Sequence, residues 1–494
     1  MLVTVVVGVL VVFFGGCGSP GLAASFDYEV AARFEVPELR TPEEQGEYEV
    51  YADGPLHPDT RLVRLNACAS TGSPVKYSWR IDGESVGVDT RCDGFEYEFP
   101  SEGTYSVSLA VEDSNGEEEA RTAEIIVRDL LIFGVGDSYA SGEGNPDVDA
   151  SGEALGDVGG AVGVEGAQWQ NLRCHRSALS GQVRAAQLIE EADPHSSVTF
   201  VHLACSGGRV HRGLLREYEG IVPDGVAAVP QIDRVAELAG EDEIDALFVS
   251  IGGNDVNFAN VVEACILGEV CHEDDPVPDP TLQAAASLVC SVSGSFEDEC
   301  EEFLGSVPDD EALDARTIFD IHSSTEAVDG QDIREDGNDD LPDNYRELAQ
   351  QIVGSLGMDP GRVYLTEVPD VTRDEHGQTC GWPTEFPSSV SDALRVALQE
   401  LPGVTQTEMS WASSHVTTEL HATMQAAAEE HGWRFVEGVD SRFEGHGYCA
   451  AFPWLVRLQN TFRIQGDKNG ALHPNVEGHG AYAEAIVDAF DPAQ

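Results

Sequence analysis

The chain has 494 residues, enough for two or three domains, each with its own core. Asp and Glu total 89 against 27 Lys and Arg, a formal charge of -62, which excludes a phosphate-binding surface and with it nucleic acid as a partner. Lysine occurs only at positions 76 and 468, a bias that fits either genomic base composition or an acidic surface suited to high salt.

Residues 2–14 are almost wholly apolar, too short for a comfortable membrane span, and run into Phe14-Gly15-Gly16-Cys17, so 1–17 reads as an export signal. The small residues directly before Cys17 resemble a bacterial lipobox. That resemblance implies a diacylglyceryl group on Cys17 and anchoring to a membrane. Eleven cysteines are present, and setting Cys17 aside leaves 68, 92, 174, 205, 265, 271, 290, 300, 380 and 449. These can close five disulfides, as expected outside the cytoplasm. Element order suggests Cys68 with Cys92, Cys174 with Cys205 and Cys380 with Cys449, leaving two bridges among Cys265, Cys271, Cys290 and Cys300. No paired C-x-x-C spacing occurs, so no metal site is expected.

Residues 18–45 are polar and bear Pro and Glu, which reads as a linker. Over 46–128 the pattern changes to short alternating strands, RLVRLNACAS, VKYSWRID, GFEYEFP, GTYSVSLAVED and ARTAEIIVRD, separated by Gly, Asn, Asp and Pro turns. An all-β, immunoglobulin-like sandwich is expected. Tyr77-Ser78-Trp79, Phe99-Pro100 with Gly103-Thr104-Tyr105, and Val107-Ser108-Leu109-Ala110-Val111 with Asp113 and Gly116 resemble the polycystic-kidney-disease (PKD) module. A sandwich this small needs Trp79 and Tyr105 to fill its interior, so these aromatics are read as core and the module as a spacer or weak binder.

From 129 to 494 strand and helix alternate, which argues for a mostly parallel sheet covered on both faces. Candidate strands are Leu130–Val135, Val198–Leu203, Ala246–Ile251, Arg362–Glu367 and Arg434–Val436. Helical patterns run over Pro230–Ala239, Asn344–Leu356, Ser389–Leu401, Thr417–Glu430 and Val476–Phe490. The apolar run Leu130–Val135 breaks at Gly134 and Gly136 into a polar loop presenting Asp137, Ser138 and Ser141, and ligands of open α/β sheets bind at the carboxyl ends of strands. Residues 260–340 are longer than an ordinary connection and carry four cysteines and the acidic run DGQDIREDGNDD, which suggests a disulfide-pinned insertion. That run lacks the ligand spacing of an EF-hand loop and reads as a solvated surface.

Four blocks follow one another along this segment: GDSYASGEG from Gly136, LACSGG from Leu203, SIGGNDVNF from Ser250 and LHPNVEGHG from Leu472. Together they resemble the signature blocks of the SGNH (GDSL-type) hydrolases. Cys174-His175-Arg176-Ser177, Leu365-Thr366-Glu367-Val368-Pro369-Asp370 and Gly445-His446-Gly447-Tyr448-Cys449 resemble the disulfide-bearing secreted lipases and esterases of actinobacteria within that family. The resemblance implies a flavodoxin-like three-layer α/β/α sandwich and chemistry without metal or organic cofactor. It makes Ser138 the nucleophile, His473 the base, and Ser138, Gly207 and Asn254 the donors of an oxyanion hole.

A serine hydroxyl needs a base to take its proton, and an imidazole with a pKa near neutrality suits that task. His479, the next most tempting histidine, falls on another face of the final helix. Many members of the family carry an acid three positions before the histidine, where this chain has Gly470. Either Asp467 curls back as a third triad member, or a main-chain carbonyl such as that of Gly470 orients the ring; a glycine there favours the carbonyl. The expected protein is an exported serine ester hydrolase acting on acyl esters through an acyl-enzyme. A carbohydrate O-deacetylase is the alternative among enzymes, and a non-catalytic surface binding protein the alternative of another class.

Overall fold

The computed structural model describes residues 21–39, 49–150, 166–222, 225–258, 340–381, 404–467 and 469–491. Cys17, the cysteines at 265, 271, 290 and 300, nearly all of the expected insertion and the helix expected over Ser389–Leu401 lie outside the described residues. Two compact units form, one from residues up to Ala32 with His57–Asp129 and Pro194–Ser197, the other from Arg33–Leu56, Leu130–Asp193 and Val198 onward. In chain order, β1 (Asp27–Val30) belongs to the smaller unit and β2 (Val50–Tyr51) to the larger. The smaller unit then continues through β3 (Arg61–Asn66), β4 (Lys76–Ile81), β5 (Glu84–Asp89), β6 (Phe95–Phe99), β7 (Gly103–Glu112) and β8 (Glu118–Val127).

The smaller unit has two antiparallel sheets, in the orders β1-β3-β6 and β5-β4-β7-β8. Alternation decides which side chains go inside: Val107, Leu109 and Val111 of β7 are buried while their neighbours are not. They meet Val63, Leu65, Trp79 and Phe99 in one core, where each fully buried side chain contributes roughly 1.5–3 kcal/mol. Trp79 stacks on Phe95 at 5.6 Å, and the Cys68–Cys92 disulfide closes the unit. Tyr105 fills the expected core role in part, half-buried against the cluster. It packs at the edge against Phe99 and its hydroxyl donates to the Ser101 carbonyl at 2.8 Å. Strand β5 was not among the expected strands, yet its signal is present: Asp82 and Gly83 both have positive φ, as a two-residue Asp-Gly hairpin turn requires.

In the larger unit one six-stranded sheet has the order β13-β12-β11-β9-β10-β2. Its further strands are β9 (Asp129–Gly136), β10 (Ser197–His202), β11 (Ala246–Ser250), β12 (Val363–Thr366) and β13 (Arg434–Val436). Strands β9, β11, β12 and β13 are parallel. All eight residues of β9 are buried, as a strand covered on both faces demands. Alternate residues serve different cores: Leu131, Phe133 and Val135 join Val235, Tyr345 and Leu348, whereas Leu130 and Ile132 join Val183, Ile189 and Tyr482. Those partners come from the helices Gln231–Ala239, Leu341–Leu356, Gly181–Ala192 and Val476–Ala489. The helix Gly181–Ala192 is absent from the sequence expectation because Gly181, Gln182, Ala185 and Ala186 make up most of its buried face and leave little apolar periodicity.

The expected linker over 18–45 is divided by the fold. Asp27–Val30 is a strand paired with β3 in the smaller unit, whereas residues 33–39 go with the larger; beyond the linker, Val50–Tyr51 pairs antiparallel with Phe200–Val201 of β10. Through that pairing residues 49–56 make their contacts with the larger unit. Two-residue strands leave no periodicity to read.

Candidate active site

The order of the sheet sets the place of the site. The chain passes from β9 to β10 on one side and then to β11 on the other, so the direction of winding reverses at β9 and β11. Crevices form beyond the carboxyl ends of strands at such a reversal. Ser138 follows β9 there, and Asn254 follows β11.

At Gly136 (φ 140°) a Cβ would lie 2.1 Å from the Ser250 carbonyl oxygen, so only glycine allows this approach of β9 to β11. Gln231 accepts from the Gly136 N–H at 2.8 Å and donates to its carbonyl at 2.9 Å. Asp137 then caps a single helical turn, Ser138–Ser141, accepting from the Tyr139 N–H at 3.1 Å. Burial pushes the Asp137 carboxyl up to about 7, against the Tyr139 bond and with the help of the Asp255 charge.

His473 reaches Ser138 from the far end of the sequence. Leu472 holds a left-handed conformation (φ 66°) that leucine seldom adopts, and three bonds fix it there. Its N–H donates to Val456 at 2.9 Å, the Val456 N–H donates to the His473 carbonyl at 2.8 Å, and the Tyr139 hydroxyl donates to the Leu472 carbonyl at 2.8 Å. As a result His473 Nε2 lies 2.8 Å from Ser138 Oγ, and Nδ1 lies 3.1 Å from the Ala471 carbonyl. A proton on Nδ1 bonded to that carbonyl leaves Nε2 free to accept from the serine. Burial draws the His473 imidazole below its ordinary value of 6.5, while the Glu143 charge and the Ala471 and Asn469 carbonyls oppose that fall.

The glycine and asparagine blocks meet beside Ser138. Gly207 has φ 78°, and a Cβ on it would sit 2.4 Å from the Tyr218 hydroxyl, which donates to the Ser206 carbonyl at 3.0 Å. A Cβ on Gly208 would come within 3.2 Å of the Gly136 carbonyl, so this loop lies directly on the Ser138 turn. The Asn254 amide donates to the Gly208 carbonyl at 3.0 Å. The Cys174–Cys205 disulfide and the Ser206 N–H bond to the Cys174 carbonyl, 3.0 Å, tie the loop down from behind. Cys380–Cys449 forms as well, in agreement with element order.

Asp467 is engaged elsewhere. Its carboxylate accepts from Gln465 Nε2 at 2.6 Å and from the Asn469 N–H at 2.8 Å, and lies 4.0 Å from His175 Nε2. Burial raises its pKa, and repulsion from Glu143 adds to this. Gly470 does not orient the ring either: its carbonyl accepts the His473 backbone N–H at 3.2 Å, and the neighbouring Ala471 carbonyl faces Nδ1. His479 is fully buried, accepts the Gly181 N–H at Nδ1, and is pushed down to about 3 by burial, which keeps it neutral.

Sequence reasoning quoted Glu143 and His175 only within matching blocks, gave neither a role, and did not single out Gln465. Glu143 is fully buried, with His175 Nδ1 2.9 Å from each carboxylate oxygen and Gln465 Nε2 at 2.5 Å. Burial would raise its pKa, but the His175 charge and bond, with His473 and Ser206 adding, bring it down to about 2. His175 is raised in turn, burial being outweighed by Glu143, and its ring stacks on Trp169 at 4.5 Å. The one signal in the sequence is an acid between two glycines in GDSYASGEG.

Residues 47–126 match the family model described as the PKD domain, and that part of the chain is a PKD domain. No curated protein matches the sequence. Among solved structures, the PKD1 domain of a Vibrio cholerae metalloprotease is 18% identical with a TM-score of 0.14, covering 22% of this chain and 96% of its own. A family two carbohydrate esterase from Clostridium thermocellum is 10% identical with a TM-score of 0.27, covering 94% and 97%. An acetyl xylan esterase from the rumen bacterium Butyrivibrio proteoclasticus is 10% identical with a TM-score of 0.26, over the same shares. Scores this low carry no argument about chemistry.

Proposed function

We propose that the chain is an exported serine ester hydrolase of the SGNH type, built on a flavodoxin-like three-layer α/β/α domain, that cleaves carboxylic acyl esters through an acyl-enzyme. The 2.8 Å contact of His473 Nε2 with Ser138 Oγ carries this reading. The strand order β10-β9-β11-β12-β13 supports the fold assignment, being the flavodoxin-like succession with the site at its switch point.

In the reaction Ser138 Oγ attacks the ester carbonyl as its proton passes to His473 Nε2, while the Ala471 carbonyl retains the Nδ1 proton and fixes the tautomer. The oxyanion forms against the backbone N–H of Ser138 and Gly207 and the second N–H of the Asn254 amide, the first being held by Gly208. Protonated His473 then delivers its proton to the departing alcohol. Water attacks the acyl-enzyme by the same route, and the acid leaves. No step calls for a metal or an organic cofactor. The apolar run over residues 2–14 and the three disulfides among the described residues, bonds that persist in oxidising compartments, support export; the lipid anchor on Cys17 is part of the same proposal.

A series of p-nitrophenyl esters from acetate to palmitate, given to wild type and Ser138→Ala, tests the reading. Wild type should hydrolyse part of the series and Ser138→Ala none of it above background. Equal rates in the two proteins would overturn the assignment.

A further inference from the structure

Glu143 has no part in the reaction above, yet a fully buried carboxylate is costly to retain unless its charge is matched. Its partners lie on three stretches of chain, each of which carries a group of the site or is bonded to a loop that does. His175 adjoins Cys174, whose disulfide to Cys205 anchors the Gly207 loop. Ser206, the residue before Gly207, lies near enough for its side chain to help lower the Glu143 pKa, and its N–H is tied to the Cys174 carbonyl beside His175 at 3.0 Å. Gln465 donates to it from Nε2 and, through Oε1, accepts the Gly144 N–H at 3.1 Å. Gly144 in turn lies against His473: a Cβ there would be 3.0 Å from the His473 Cβ and 2.9 Å from the Pro474 carbonyl.

His473 has only a neutral carbonyl at Nδ1. When it takes the serine proton, the imidazolium has no bonded anion, and Asp467 is turned toward Gln465 and Asn469. We infer that Glu143 is the fixed anion of this site, a positioning residue that locks the Ser206–Gly207 and His473 loops together and supplies from the neighbouring loop the negative charge that a triad acid would supply by contact. The inference rests on the serine-hydrolase reading for its consequence in turnover, though not for its geometry.

The groups facing His473 fix the sign of the effect. Glu143 favours the charged ring, while His175 and burial disfavour it. His479 is close enough to be lowered by His473, and the Tyr139 ring lies 5.2 Å away. Asp467 and Tyr218 both feel the Glu143 charge. Removing that charge should therefore move the His473 titration to lower pH, and removing the opposing imidazolium of His175 should move it to higher pH.

The test is the ring titration of His473 followed by NMR in the full chain, its signal identified by its loss in His473→Gln. Glu143→Gln keeps the size and bonding of the side chain and removes its charge. Its His473 should titrate at lower pH than in wild type, and Glu143→Asp should return the titration toward wild type. On the substrate that wild type hydrolyses, Glu143→Gln should lose about tenfold to a hundredfold in kcat with KM roughly unchanged, less than the ~10²–10⁴ contributed by a group that itself transfers the proton. A folded Glu143→Gln whose His473 titrates as in wild type would overturn the inference, since a purely structural role predicts that result. Should Glu143→Gln fail to fold, His175→Gln decides: an upward shift supports the charge role and an unmoved titration refutes it. The titration needs no turnover, so a wild type without esterase activity would refute the hydrolase reading and leave the coupling of Glu143 to His473 open to measurement by the same spectra.

Discussion

The two units of the chain place their charges in opposite ways. In the PKD domain, ion pairs such as Arg64 with Glu96 at 3.2 Å and Lys76 with Glu112 at 2.7 Å stand on solvent-facing positions, where a pair contributes about 0–1 kcal/mol. Its interior is a single apolar cluster around Trp79. The larger unit instead buries Asp137, Glu143, His175 and Asp255 close to the carboxyl ends of β9 and β11. Taking such groups from water costs several kcal/mol per ion, an expense that folding alone does not require of a sheet with two apolar cores. The contrast is one of placement: the sandwich keeps these ion pairs in solvent, while the α/β unit gathers several of its buried charged groups around Ser138 and His473, a clustering typical of functional sites.

Substitutions sharpen the contrast, beginning with the largest effect. Ser138→Ala and His473→Ala should each remove ester hydrolysis to background while circular dichroism stays as in wild type, since neither side chain belongs to the strand cores. Asn254→Ala should come next, lowering kcat by about a hundredfold to a thousandfold with little change in KM, because its amide acts on the developing oxyanion. A loss confined to KM would contradict that role. Asp467→Asn should lose less than about tenfold, since the Ala471 carbonyl survives the change, whereas replacing a true triad aspartate costs about ten-thousandfold in the serine-protease case. A folded Asp467→Asn variant with a thousandfold loss would make that residue catalytic. At the small end, Arg64→Ala in the sandwich should change stability by no more than about 0.5 kcal/mol and leave hydrolysis untouched, as thermal melts and rates would show.

Much of this arrangement was legible in the sequence because it is local. The strand before Ser138 is a continuous apolar run, the glycines at 136 and 207 mark close approaches that the fold makes, and the Asp-Gly pair at 82–83 marks a hairpin. What stayed hidden is non-local or belongs to the backbone. A carbonyl acceptor has no side-chain signature, so the shift from Gly470 to Ala471 depends on the turn that puts Leu472 at positive φ. Strand β2 exists only through its pairing with β10, and Tyr51 is buried by that pairing rather than by any pattern of its own. Glu143 and Gln465 come together across most of the α/β unit, and neither stretch alone distinguishes a buried acid from an ordinary loop residue.

The central claim, that Ser138 is a nucleophile activated by His473, is tested most directly by covalent capture. An alkyl phosphonate fluoride reacts with an activated serine hydroxyl and leaves a stable adduct, whatever the natural ester. Intact mass and peptide mapping of the treated protein should show one adduct, on Ser138, at a rate that collapses in His473→Ala. An unlabelled Ser138, or labelling that proceeds equally well without His473, would contradict the account.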